Sequence, residues 1–144
     1  MEAGAAAQSA HGDRASYVWL QSGPLDYFPA KGSLHLSGGR LIFVIDGSPP
    51  EKHAVWLEEV SGQPGLAKRL QDGERATIFD VPVSEAEVKF PGSAMGSLAF
   101  VTVGGTRYRL NFYDPTRGGP GTKLGGVFKG GSEGRQWKRA LKGD

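Results

Sequence analysis

Ser33-Leu34-His35-Leu36-Ser37-Gly38-Gly39-Arg40-Leu41-Ile42-Phe43-Val44-Ile45 is the stretch that decides how this chain is read. Ser33–Leu36 and Arg40–Ile45 have the apolar pattern of half-buried strands, and a glycine pair stands between them. Paired glycines tolerate the positive φ that both central positions of a type I′ turn demand, so a β-hairpin is predicted. The signature returns downstream, where Leu98–Val103 and Thr106–Phe112 flank Gly104-Gly105. In the last of these strands Tyr108, Leu110 and Phe112 fall on one face and Arg107, Arg109 and Asn111 on the other.

Working outward, Ala15–Gln21 reads as a first strand closed by Ser22-Gly23-Pro24, and Asp46–Lys52 as a turn or loop. His53–Leu57 is predicted to be another strand. Leu66, Ala67 and Leu70 recur at three-to-four spacing, which gives Pro64–Leu70 the one interior helical pattern. Ala76–Val81 and Ala86–Phe90 read as strands separated by Pro82, which cannot donate to a central ladder and so marks a break or an edge. Asp114–Gly131 holds seven glycines and two prolines and is expected to be irregular, with a short strand at Val127-Phe128. A final helix is predicted over Glu133–Lys142, capped by Ser132 and stopped by Gly143. Trp137, Ala140 and Leu141 share one side of it, backed by Arg135, Lys138, Arg139 and Lys142.

Composition bounds the function. The 144 residues make one domain, and the 32 Leu, Ile, Val and Phe residues suffice for a thin core. Glycine and proline together number another 32, about double average usage, which disfavours long helices. With no cysteine, a disulfide framework, a thiol nucleophile, a Cys-ligated zinc site and an iron–sulfur cluster are excluded, and a cytoplasmic location fits. The longest apolar run, Leu41–Ile45, is far short of the roughly 20 residues that span a bilayer. Met1–Ala15 lacks the basic and apolar regions of a secretory signal and reads as a disordered lead-in. The net charge of +2 hides a polarity: residues 107–144 carry +6 and residues 1–106 carry −4. Such a basic third can steer the domain toward phosphates, anionic lipid or an acidic protein surface. A solvated helix face is the competing explanation of the same charges. No run of six or more Lys and Arg marks a nucleic-acid arm, so no nucleic-acid partner is expected.

No reaction emerges from the motifs. His11, His35 and His53 are too widely spaced for a histidine metal pair, and no cofactor or metal is expected. Alternation sends His35 to the polar face of its strand, and His53 could pair with Glu58 or Glu59. The chain has no G-x-S-x-G elbow to orient a serine. Gly118–Gly126 fails as a phosphate loop, because Lys123 follows Thr122 rather than glycine and no serine or threonine comes next. The carboxylate pairs Glu58-Glu59 and Glu85-Glu87 lie in surface-like contexts. No catalytic residue is assigned.

Gly32–Phe43 resembles the G-x-L-x-L-[ST]-x-x-R-L-I-F hairpin of GRAM and bacterial pleckstrin-homology-like domains, and Gly23–Phe28 resembles their lead-in. Phe79–Glu85 is similar to the family's F-x-[IV]-P-[LV]-x-[DE] strand, and Gly104–Phe112 to its G-G-x-[KR]-Y-x-[FL]-x-F pair. The helix with Trp137 and Leu141 is similar to the tryptophan-bearing helix that plugs the open end of that barrel. The motifs cover Ser16–Leu141 in the family's order. The resemblance implies a bent antiparallel half-open barrel of about seven strands, formed by residues 16–142, with Trp137 and Leu141 as its plug and an insertion at 53–74. It implies a non-catalytic binding module for a protein or peptide, engaged along an exposed strand edge. The alternative partner is anionic membrane lipid, met at the periphery through Arg107, Arg109, Arg135, Lys138, Arg139 and Lys142. The lipid-binding subset's basic residues on the second strand are missing here, where Leu34-His35-Leu36 stands and the first loop offers mainly Lys31.

Overall fold

Seven strands, each antiparallel to its neighbours, form one open sheet in the computed structural model, which describes residues 13–23, 25–91, 98–113 and 135–141. They are β1 (Arg14–Gln21), β2 (Ala30–Ser37), β3 (Arg40–Ile45), β4 (Ala76–Pro82), β5 (Ala86–Lys89), β6 (Leu98–Val103) and β7 (Thr106–Phe112). Their order across the sheet is β4-β3-β2-β1-β7-β6-β5. Both predicted glycine-pair hairpins are present: φ is 58° and 76° at Gly38 and Gly39, and 58° and 83° at Gly104 and Gly105. The first strand starts earlier than expected, since Arg14 and Ala15 pair with Leu36 and His35 and so belong to β1 rather than to a lead-in.

The connectivity forces the sheet to curl. β4 and β5 are its two edges, yet only the single 3₁₀ turn Val83–Glu85 separates them in sequence. Six strand spacings of about 4.8 Å would hold the edges of a flat sheet about 29 Å apart. Four Cα steps from Pro82 to Ala86 reach at most about 14 Å. The sheet therefore folds back on itself, and rings from distant strands meet inside it. Tyr108 of β7 lies 5.8 Å from Phe43 of β3 and 5.3 Å from Phe79 of β4. Gly32 serves the bend: a methyl group there would strike the carbonyl oxygen of Val44, where the β3–β4 register also shifts. Pro82 ends the edge strand β4, as its missing N–H requires.

The expected strand at His53–Leu57 is instead part of a helix. Residues Glu51–Ser61 form α1 and Leu66–Gln71 form α2. His53, Ala54 and Leu57 make a buried stripe at helical spacing, Glu51 complements the dipole in the first turn, and Gly62 closes α1 in the left-handed region. Glu58 accepts a hydrogen bond from the Ala67 backbone N–H at 2.9 Å and so caps α2 from the neighbouring helix. Leu57, Leu66 and Leu70 are fully buried, worth about 2 kcal/mol apiece.

The final helix, α3, is described over residues 135–141. Trp137 is 0% exposed, lies 5.9 Å from Phe112 with the rings stacked, and donates from Nε1 to Ser16 Oγ at 2.7 Å. Its neighbour Leu141 is partly buried against the same core. The strand expected at Val127-Phe128 and the cap expected at Ser132 lie outside the described residues.

Candidate functional site

Alternation along β7 buries Tyr108, Leu110 and Phe112 and turns Arg107 and Arg109 to the opposite face. There both guanidinium groups gather on one ring. Phe100 of β6 pairs directly with Arg109, and its centroid lies 3.9 Å from the Arg107 guanidinium carbon and 5.4 Å from that of Arg109. Each cation gains from the ring's negative face, yet the two repel one another. Among the described residues neither has a carboxylate partner, and Arg109 Nε is buried with no hydrogen-bond acceptor. An unpaired buried donor on a cation is costly unless an anion supplies the acceptor.

The arginines form one wall of a 490 Å³ cleft, and α1 contributes Lys52, His53 and Trp56 to another. The end of β1 and the loop after it complete the cleft with Leu20, Gln21, Ser22 and Gly23. Trp56 is placed by an edge-on contact with Tyr108, at 5.5 Å between centroids.

A buried carboxylate ties these walls together. Asp26 sits in the β1–β2 loop with its side chain fully covered. Its Oδ1 accepts from the Phe28 backbone N–H at 3.0 Å and from Lys52 Nζ at 2.9 Å. Its Oδ2 accepts from the Ser22 backbone N–H at 3.0 Å, from Ser22 Oγ at 3.3 Å and from His53 Nε2 at 2.8 Å. Burial alone would raise the Asp26 pKa, but the Lys52 hydrogen bond, the two backbone donors and His53 outweigh it. They hold the group well below the usual carboxylate range. Burial pushes His53 down from the ordinary imidazole value, and Asp26 offsets that only in part.

The same clamp presents an apolar tip. Leu25, Tyr27 and Phe28 are 76%, 76% and 73% exposed, while Asp26 between them is locked to α1. Scattered exposed hydrophobics are ordinary on protein surfaces, but here three fall within four consecutive residues of one pinned loop.

The six cations expected to form one surface are divided. Arg107 and Arg109 line the cleft, whereas Arg135, Lys138 and Arg139 lie on α3, whose tryptophan is anchored near the start of β1. Lys142 lies outside the described residues. Beside α3 a 330 Å³ groove is lined by Val83, Ala86, Val88, Phe90, Lys138 and Leu141. His53 meets Asp26 rather than Glu58 or Glu59. His35 is half-buried on the polar face as alternation predicts, with Nε2 2.9 Å from Ser33 Oγ. Asp26, Lys52, Trp56 and Phe100 were not singled out from the sequence. Helical spacing across residues 51–61 was the available signal for the α1 residues, while Asp26 resembled an ordinary turn residue. No family model matches this chain, and no curated protein matches it.

Proposed function

We propose that this protein is a non-catalytic module of the pleckstrin-homology-like, GRAM type that docks on an anionic membrane surface with its α1 end. The observation that carries this reading is the placement of Arg107 and Arg109, without a carboxylate partner among the described residues, at the end where Leu25, Tyr27 and Phe28 are exposed. A headgroup phosphate at the cleft mouth would supply a counter-charge to the two guanidinium groups, which have no carboxylate partner among the described residues. The tip supplies apolar side chains of the kind that settle at the headgroup boundary, tyrosine among them. Three side chains are too small an area for a protein interface, which needs about 800 Å² per partner, but lipid accepts such residues singly. No helix among the described residues is long and apolar enough to cross a membrane, so attachment here would be peripheral.

Co-sedimentation with phosphatidylcholine vesicles, with and without phosphatidylglycerol, tests the proposal. Binding is expected to the anionic vesicles alone and to fade as salt shortens the screening length. Equal pelleting with neutral vesicles, or none at low salt, refutes it. A second reading, an extended peptide added to the sheet, is favoured by one observation: among the described residues β5 has no partner on its outer edge, beside the groove under α3. A peptide bound there slows hydrogen exchange at Ala86–Lys89; unchanged exchange in a complex removes that reading.

A further inference from the structure

Asp26 has two side-chain counter-charges of different kinds. Lys52 is an ammonium group half-exposed in the cleft, whereas His53 is a buried imidazole. They reach different oxygens of one carboxylate, Lys52 at Oδ1 and His53 at Oδ2. With His53 neutral, Lys52 is the cation that balances Asp26. We propose that protonated His53 takes over this role, so that acidification frees Lys52 to turn into the cleft beside Arg107 and Arg109 and strengthens their hold on an anionic surface. This rests on reading the α1 end as the membrane-facing one.

The charged groups around His53 agree with such an exchange. From the β1–β2 loop it faces Asp26; from its own helix, Lys52; and across the cleft stand Arg107 and Arg109. Burial, and to a smaller extent the nearby lysine, lower the imidazole's pKa against the pull of Asp26 and of the Phe28 backbone. One proton restores what the carboxylate loses when Lys52 leaves it. The chain of contacts from Phe28 through Asp26 to α1 stays intact, because Ser22, Phe28 and His53 still donate.

Two measurements on the full chain test this. In ligand-free protein, the side-chain NMR signals of Lys52 are expected to shift with the same midpoint as the His53 ring. A Lys52 signal indifferent to His53 titration overturns the exchange. Second, affinity for phosphatidylglycerol-doped vesicles is expected to rise about fivefold as pH falls from neutrality through the midpoint of the His53 ring, the effect of one more cation near an anionic surface. Lys52→Met should remove that rise, and His53→Gln should make affinity flat with pH. Vesicle binding that is flat with pH in the parent refutes the control. Coincident NMR midpoints without vesicle binding at either pH refute the membrane reading and leave the exchange standing.

Discussion

The curled sheet is covered differently where β1 begins and where it ends. Near its start, α3 inserts an indole whose one polar atom finds Ser16, and no titratable group takes part in that pair. At its far end, α1 and α2 supply Leu57, Leu66 and Leu70, but the closure runs through a carboxylate, an imidazole and an ammonium group packed together. The first is a dry plug whose worth is set by packing. The second keeps charge inside the structure, which costs desolvation and is recovered only while every partner is present. The contrast separates a closure set by packing from one set by charge.

Trp137→Ala is the harshest way to break the contrast. It should cost about 3–5 kcal/mol, the usual range for emptying a core tryptophan site, by urea denaturation. Because neither the indole nor the Ser16 hydroxyl ionises in this range, the loss should be the same near pH 4 as at neutrality. A tryptophan variant as stable as the parent would remove the plug from this account. Asp26→Asn should cost somewhat less, about 2–3 kcal/mol at neutral pH, because it leaves Lys52 and His53 without their anion. Its pH profile should differ in kind. Folded Asp26 titrates below its ordinary value of 3.8, so its contribution is complete above that value and is lost as pH falls through the lower folded value. Folded His53 titrates below its ordinary 6.5, so the unfolded chain takes up that proton first and stability again declines as pH falls. The parent should weaken in acid, and the Asp26→Asn penalty should shrink toward zero there. A penalty independent of pH would show that the carboxylate acts through shape alone.

The smallest expected effects are on stability at the arginines. Arg109→Gln should lower anionic-vesicle affinity about fivefold without destabilising the fold, because it removes a buried donor that has no acceptor among the described residues. Arg135→Ala, on the exposed side of α3, should leave the melting temperature within error. If Arg135→Ala matched Arg109→Gln in vesicle affinity, the anionic surface would extend over α3 as well as the cleft.

Much of the sheet was legible because its signals are local. Gly38-Gly39 and Gly104-Gly105 force their turns, and alternation along β7 assigned Tyr108 and Arg109 to opposite faces without help from any other strand. The error at residues 53–57 came from a window too short to separate the two periods: His53, Ala54 and Leu57 form a stripe only when Glu51, Pro50 and Gly62 are read as the limits of a helix. Asp26 was illegible for a different reason. A carboxylate in a turn usually serves its own backbone, as this one does toward Ser22 and Phe28, and nothing local announces a histidine 27 positions away.

Local chemistry alone sets where the chain turns, which face of each hairpin strand is apolar and that Trp137 points inward, since backbone sterics and periodicity act over a few residues. Long-range packing sets the rest: the edges of the sheet approach one another, α1 lies over the end of β1, and Arg107, Arg109 and Lys52 border one cleft anchored by Asp26. Those relations depend on how far a seven-stranded sheet curls, and that curl is the sum of many small twists and one short connection, Val83–Glu85, whose consequence is set by strand order rather than by its own residues.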